Sequence, residues 1–277
     1  MRLTGQLQGL LSAADRALGR LDGSVLTLPN PDLFVFMCVR KEAVLSSQIE
    51  GTQSSLQDPL AAEAKLFDRD LPQDVDEVLN YVRAMHHGLE RLPTLPVSVR
   101  LIREIHTELM RGVRGGRLLP GELRTSQNWI GPGGCTLMTA THVPPPLVKI
   151  AMAHAQFETI HPFLDGNGRT GRLLITFLLT ERSVLHKPVL YLSHYLKRHR
   201  QEYDERLQAI RDQGAWEEWL AFFLRGIAEV SDEAVTMARR ILELREKHRT
   251  AITETLDAPR AMATRYWKCC STGPSCR

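Results

Sequence analysis

"HPFLDGNGRTGR", residues 161–172, is the stretch on which the reading of this chain turns. Gly166, Gly168 and Gly171 satisfy GxGxxG in form, a pattern that in dinucleotide-binding folds follows a strand inside a βαβ unit. The residues before it, "LVKIAMAHAQFETI" (147–160), carry helical rather than strand spacing, and no βαβ unit surrounds them. No HRD or DFG segment follows, as a protein kinase would need, and no GxxxxGK(S/T) P-loop occurs. What remains is a glycine-rich loop that passes from one helix into the next, "RTGRLLITFLLTERSVL" (169–185).

Such a junction has a definite chemistry. Glycines let backbone N–H groups turn inward, and a helix N-terminus carries roughly half a positive charge, so the loop is an anion cradle. Arg169 and Arg172 lie three apart, on adjoining parts of the first turns, where both can clamp further phosphates. Asp165 is a hard oxygen ligand suited to Mg²⁺ already held by phosphates. His161, just outside the cradle, is the natural general base, and Pro162 and Phe163 set the approach angle of the chain. Taken singly, each residue has a plainer reading: a structural histidine, or arginines and an acid in a solvated ion-pair cluster. Their concentration within twelve residues at a loop-to-helix junction favours function.

Outward from this stretch, helical periodicity dominates. Asn30 followed by Pro31 is a cap and first-turn pair that opens the apolar run "DLFVFMCVRKEAVLSSQIE". Val75, Val78, Val82, Met85 and Leu89 trace one helical stripe, and Ile102, Ile105 and Leu109 another. "AWEEWLAFFLRGI", with Ala234, Met237, Ile241 and Leu244 beyond it, continues the theme, and these stripes read as core. "NWIGPGGCTLMTATHVPPP" (128–146) breaks the pattern: a Gly-Pro-Gly-Gly turn, β-favouring flanks and a closing run of prolines predict a short hairpin, either a surface loop or a flap beside a site.

The 277 residues suit one large domain or a main domain with a helical appendage, and 43% hydrophobic with 24% charged residues is ordinary for a globular protein. A net charge of +3 from 35 basic and 32 acidic residues is too weak a bias to imply nucleic acid. The N-terminal residues are interrupted by Asp15, Arg16 and Arg20, unlike a signal peptide, and no run reaches the roughly 18 apolar residues of a membrane span. A cytoplasmic location is the resulting expectation. Cys38 and Cys135 stand far apart without paired CxxC spacing, so they read as buried or free thiols. Cys269, Cys270 and Cys276 crowd the end, where a one-base shift of reading frame from Arg265 gives a peptide patterned like an amphipathic helix. Residues 266–277 are thus expected to be a frame-shifted or disordered tail, and the original protein to have been longer.

"HPFLDGNGRTGR" closely resembles the HPFx(D/E)GNGRxxR signature of the Fic domain family (Fic/DOC), with every fixed position matched. The resemblance continues through "GELRTSQNWIG", "THVPPP", "PVLYLSHYLKRHRQEY" and "GAWEEWLAFFL", so it covers roughly residues 1 to 230. It implies an all-α, Fic-type helical bundle with one short β-hairpin flap, and transfer of AMP from ATP to a hydroxyl of a protein. By that resemblance His161 deprotonates a target Ser, Thr or Tyr, and Asp165 holds Mg²⁺ against the α- and β-phosphates. Asn167 and the N–H groups of Gly166, Gly168, Arg169, Thr170 and Gly171 orient those phosphates, and Arg172 takes the γ-phosphate. The hairpin residues Thr139, Ala140, Thr141, His142 and Val143 pair with an extended target segment as an added strand. Tyr203 marks the adenine site, although Asp204 stands where family members often carry a second tyrosine, which leaves nucleotide preference open.

Read beside that family, "SSQIEG" resembles its inhibitory motif (S/T)xxxE(G/N), with Ser46, Glu50 and Gly51 in the named places. Ser46 and Glu50 are four apart and share a helix face, so the resemblance implies an ion pair from Glu50 to Arg172 that removes the γ-phosphate clamp. The resulting organisation is an N-terminal helical region with the inhibitory motif (1–70), a Fic core (71–228), a C-terminal helix (229–265) and the tail. The expected partners are ATP and a protein substrate, this chain itself among the candidates, with no membrane. A homodimer stays open, and nucleic acid enters only through a lost C-terminal winged-helix module. Removal of AMP, use of UTP or another donor, and a non-catalytic regulator are the alternatives.

Overall fold

The computed structural model describes residues 5–64, 74–125 and 144–255. Among these, ten helices and no strand form the architecture: α1 (Gly5–Leu26), α2 (Pro31–Ile49), α3 (Gln57–Glu63), α4 (Val75–Arg91), α5 (Val99–Leu109), α6 (Pro146–Ile160), α7 (Asn167–Glu181), α8 (Ser193–Arg198), α9 (Arg200–Gln213) and α10 (Trp216–Thr255). The helical periodicity read from the sequence is thus realised. The hairpin expected near 128–146, with its flap residues Thr139 to Val143, lies outside the described residues up to position 143, as does the tail.

Local rules place the helix boundaries that matter. The Asn30 side chain accepts the Leu33 N–H at 3.0 Å and Pro31 opens α2, as the cap pair required. At the other end Gly51 takes φ +98°, where its N–H reaches the Gln48 carbonyl and the Thr52 N–H reaches that of Ser47. This pair of bonds is the Schellman arrangement, which calls for a left-handed residue after the cap and so for glycine. It stops α2 with Glu50 as its C-cap residue.

α7 is the axis of the molecule. Leu173 and Phe177 face α2, α4 and α5, Ile175 and Leu179 belong to the core shared with α1, α6, α9 and α10, and Leu174 packs with Phe157 and Phe163. A helix buried on nearly every side is held by all its neighbours at once, each large apolar side chain contributing about 1.5–3 kcal/mol. Its N-terminus therefore stands on a rigid base. α1 runs along α10, tied by an Arg20–Asp232 pair at 2.6 Å. The apolar stripe of α10 is core only in part: Ala234 and Ala238 are buried and Leu242 packs on the core, whereas Met237, Ile241 and Leu244 are 43–55% exposed, because they occupy a face of α10 turned away from it. Cys38 is a buried free thiol, as its spacing predicted.

Candidate active site

The loop at 161–166 is braced from within. α6 ends at His161, which adopts left-handed φ 50° and ψ 60°, a conformation uncommon outside glycine that recurs at functional sites. Both ends of the Asn167 amide bind the Phe163 peptide, accepting its N–H at 2.9 Å and donating to its carbonyl at 2.8 Å. His106 of α5 stacks on Phe163 with ring centroids 3.8 Å apart. Its Nδ1 accepts the Gly121 N–H at 2.8 Å, so Nε2 bears the proton and donates to the Asp165 carbonyl at 2.9 Å. Burial lowers the His106 pKa despite that bond, which keeps the ring neutral and the tautomer set.

Arg172 projects from the second turn of α7 onto α2. Its Nε donates to Ser46 Oγ at 2.7 Å, and Nη2 donates to the Ser46 carbonyl at 3.0 Å and to Glu50 Oε1 at 2.6 Å. The guanidinium is 2% exposed and the Glu50 carboxylate 36%, so the pair is open to solvent on the acid's side. Burial alone would raise the Glu50 pKa, but Arg172 outweighs it and the carboxyl titrates below its usual range. Gly168 explains its own residue type: a Cβ there would collide with that carboxylate and approach the Arg172 guanidinium.

Arg169, three residues earlier, turns elsewhere. Its Nη1 donates to Glu77 of α4 at 2.8 Å and its Nη2 lies 3.7 Å from Met110 Sδ. Both members of this pair are buried, at 3% and 8% exposure.

A cleft of about 540 Å³ opens between α2, the end of α6, α7 and α9, lined among others by Glu50, Glu158, His161, Gly168, Arg172 and Tyr203. Its floor is a hydrogen-bond chain. His154 Nδ1 donates to the Gly171 carbonyl at 2.9 Å, and Nε2 therefore accepts the Tyr203 hydroxyl at 2.9 Å. Burial drives the His154 pKa down to about 4 and pushes that of Tyr203 well above the ordinary phenol value, so both stay neutral. At His161, burial lowers the pKa, a bond to the Glu158 carbonyl opposes it, and Arg124 and Arg211 add to the lowering. A neutral imidazole at neutral pH follows.

Of the residues singled out from the sequence, His161, Gly168, Arg172, Tyr203 and Glu50 meet in this cleft, with Ser46 behind Arg172 and Gly51 fixing the turn. The others have their side chains engaged elsewhere. The Arg169 guanidinium does not reach the cleft, because α4 captures it first. The Asn167 side chain is committed to Phe163, and both the Thr170 N–H, at 3.0 Å, and its Oγ1, at 2.9 Å, donate to the Gly166 carbonyl, so these groups serve the loop. The Asp165 carboxylate accepts the Gly166 N–H at 2.6 Å, lies against Gly115 and is not part of the cleft wall. A lone carboxylate still suits Mg²⁺ in kind, since that ion takes one or two protein carboxylates when phosphates supply its other ligands. Among the described residues no cluster of three or more ligating side chains occurs. Sequence reading missed His106 and Glu158. The spacing of Glu158, one turn before His161, was the available signal.

An all-helical fold in which a buried axial helix presents a glycine-rich N-terminus to a charged cleft defines the class: a helical protein with a glycine-rich loop braced beside that cleft. The chain belongs to the Fic/DOC family. The family's N-terminal model matches residues 8–90 and its Fic/DOC model residues 96–179, together more than half of the sequence. Protein adenylyltransferase Fic of Drosophila erecta is 30% identical over 145 residues, 46% of this chain and 28% of that protein. The Aedes aegypti protein of the same name is 29% identical over 179 residues, 58% and 33% of the two chains. The alignments thus span about a third or less of these relatives' length. A Fic family protein from Desulfovibrio desulfuricans G20 shares the fold with TM-score 0.67 at 21% identity, over 86% of this chain and 76% of that one. Fic-1 of C. elegans (residues 134–508) does so at 0.56 and 19%, over 86% and 73%. No helix among the described residues is long and apolar enough to cross a membrane.

Proposed function

We propose that this chain is an auto-inhibited protein adenylyltransferase, which transfers AMP from ATP to a Ser, Thr or Tyr hydroxyl of a protein. The observation that carries the reading is the Glu50–Arg172 ion pair at 2.6 Å inside the cleft that holds His161. The names of the insect relatives support the reaction class. In the proposed reaction the neutral His161 ring takes the proton of the target hydroxyl. The oxygen then bonds to the α-phosphorus while its bond to the bridging oxygen breaks, and pyrophosphate leaves with that electron pair. The free N–H groups of the first turn of α7 bind phosphate oxygens and the Tyr203 ring walls the nucleotide. Mg²⁺, when bound at Asp165, would neutralise phosphate charge. Positioning and charge neutralisation are the main levers in such transfers, so this set of parts suffices.

Glu50 holds the arginine that the γ-phosphate would need, and ATP then binds unproductively. Incubating wild type, Glu50→Gly and His161→Ala with labelled ATP, UTP, GTP and CTP tests the whole reading. The expected result is weak labelling of protein by wild type, strong labelling by Glu50→Gly with ATP, and none by His161→Ala. Equal labelling by wild type and Glu50→Gly would remove the inhibitory role. If Glu50→Gly labels nothing while wild type strips AMP from a modified protein, Glu50 orients a water and the reverse reaction is the function.

A further inference from the structure

One carboxyl in the cleft has no role in this scheme. Glu158 sits on the last turn of α6, one turn before His161, and is 6% exposed, yet it lines the cleft. Its Oε1 has no hydrogen-bond partner, while it lies so close over the Gly171 Cα that a Cβ there would collide with it. A buried acid normally finds a partner, because leaving it unpaired costs at least 1–3 kcal/mol. Here the backbone of the same residue is fully used, its carbonyl accepting Arg211 Nη2 at 2.8 Å, which fixes the position of the side chain. The orphan oxygen is thus shut in against the first turns of α7, while Glu158 itself borders the cleft next to the arginine assigned to phosphate.

We propose that Glu158 is a phosphate-contacting residue, present as a neutral carboxylic acid in the loaded cleft and donating its O–H to a phosphate oxygen of the bound nucleotide. An ionised carboxylate at this place would repel a triphosphate, whereas the acid form spares the partnerless Oε1 a charge and offers an O–H on the other oxygen. Burial pushes its pKa up to about 7, with Arg172 and Arg211 pulling down and Glu50 and Asp204 pushing up. The other titratable groups around it, Tyr203 on α9, His154 on α6 and His161 just after α6, are held neutral at pH 7 by the burial described above. Added phosphate charge raises the Glu158 pKa further, so binding above pH 7 takes up a proton from solvent, and that uptake weakens binding as pH rises.

The inference rests on the proposed nucleotide cleft, and the test separates the two. Binding of a non-hydrolysable ATP analogue to the full wild-type chain and to Glu158→Gln and Glu158→Ala is measured by calorimetry at pH 6 and pH 8, in buffers of different ionisation enthalpy. Gln keeps a donor without titrating. At pH 8 it should bind roughly tenfold tighter than wild type, match it within a few-fold at pH 6, and take up about one proton fewer at pH 8. Ala should bind more weakly than Gln at both pH values. A Gln variant with the pH dependence and proton uptake of wild type overturns the role of Glu158 and leaves the nucleotide cleft standing. Absence of analogue binding by folded wild type at both pH values overturns the cleft reading, and this inference with it.

Discussion

Two arginines three residues apart on α7 make opposite use of the same helix. Arg169 is sealed against Glu77 of α4, with both charges at or below 8% exposure, while Arg172 meets in Glu50 a partner that is 36% exposed and stands at the end of a helix. A pair buried on both sides is fixed, since breaking it strands a charge in the interior. Where the acid is wet on one side, water or phosphate can take its place beside the arginine, which keeps its two bonds to Ser46 meanwhile. The lesson is that the signature's two arginines are one strut and one handle, and that the proposed regulation would act on the handle.

The largest effect expected from this contrast is on the strut. Glu77→Ala leaves the Arg169 guanidinium uncompensated, and should lower unfolding stability by about 3–5 kcal/mol in urea titrations. A loss below about 1 kcal/mol would contradict the strut. Acid should reach the handle's side of α7 through His154. Its pKa falls to about 4 in the folded state, so its stabilising contribution is complete above the ordinary histidine pKa near 6.5 and is lost as pH drops from there towards 4. The thermal midpoint should decline by an amount equivalent to about 3 kcal/mol across that window, and a flat profile would show His154 to be solvated. Glu50→Gly should raise protein labelling by roughly ten- to a hundredfold while costing less stability than Glu77→Ala, because Arg172 keeps its two bonds to Ser46 and the cleft admits water where the carboxylate stood, so a loss of stability equal to that of Glu77→Ala would erase the distinction. Smallest is Ser46→Ala, which removes one of the two Ser46 bonds to Arg172 and keeps the carbonyl; a several-fold rise in labelling, about 1 kcal/mol, is expected.

Much of this was legible in one dimension. The Asn30–Pro31 cap and the periodic stripes of α4 and α5 are local features, decided within a turn or two, and they fall where the residues said. The stripe at Met237, Ile241 and Leu244 misled because periodicity reports a face, and only a neighbouring helix makes a face into core. Asn167 looked like a phosphate ligand and braces the loop because an amide can satisfy an N–H and a carbonyl together, which the Phe163 peptide offers at close range. Glu158 and His106 stayed hidden for a different reason. Each is an ordinary residue on an ordinary helix, made special by burial and by partners 13 to 59 positions away.

The sequence by itself determined the chemistry at hand: a glycine-rich turn opening a helix, a histidine before it, two arginines after it, and a carboxylate at the end of a capped helix. These depend on backbone rules that act over a few residues. Only the tertiary structure decided which arginine each acid would hold. α7 is walled by α4 on one flank and α2 on another, so three residues of rotation send Arg169 to Glu77 and Arg172 to Glu50, across 92 and 122 positions of chain. Charges that far apart in sequence are matched by packing, because burial leaves each guanidinium only the carboxylate within its reach.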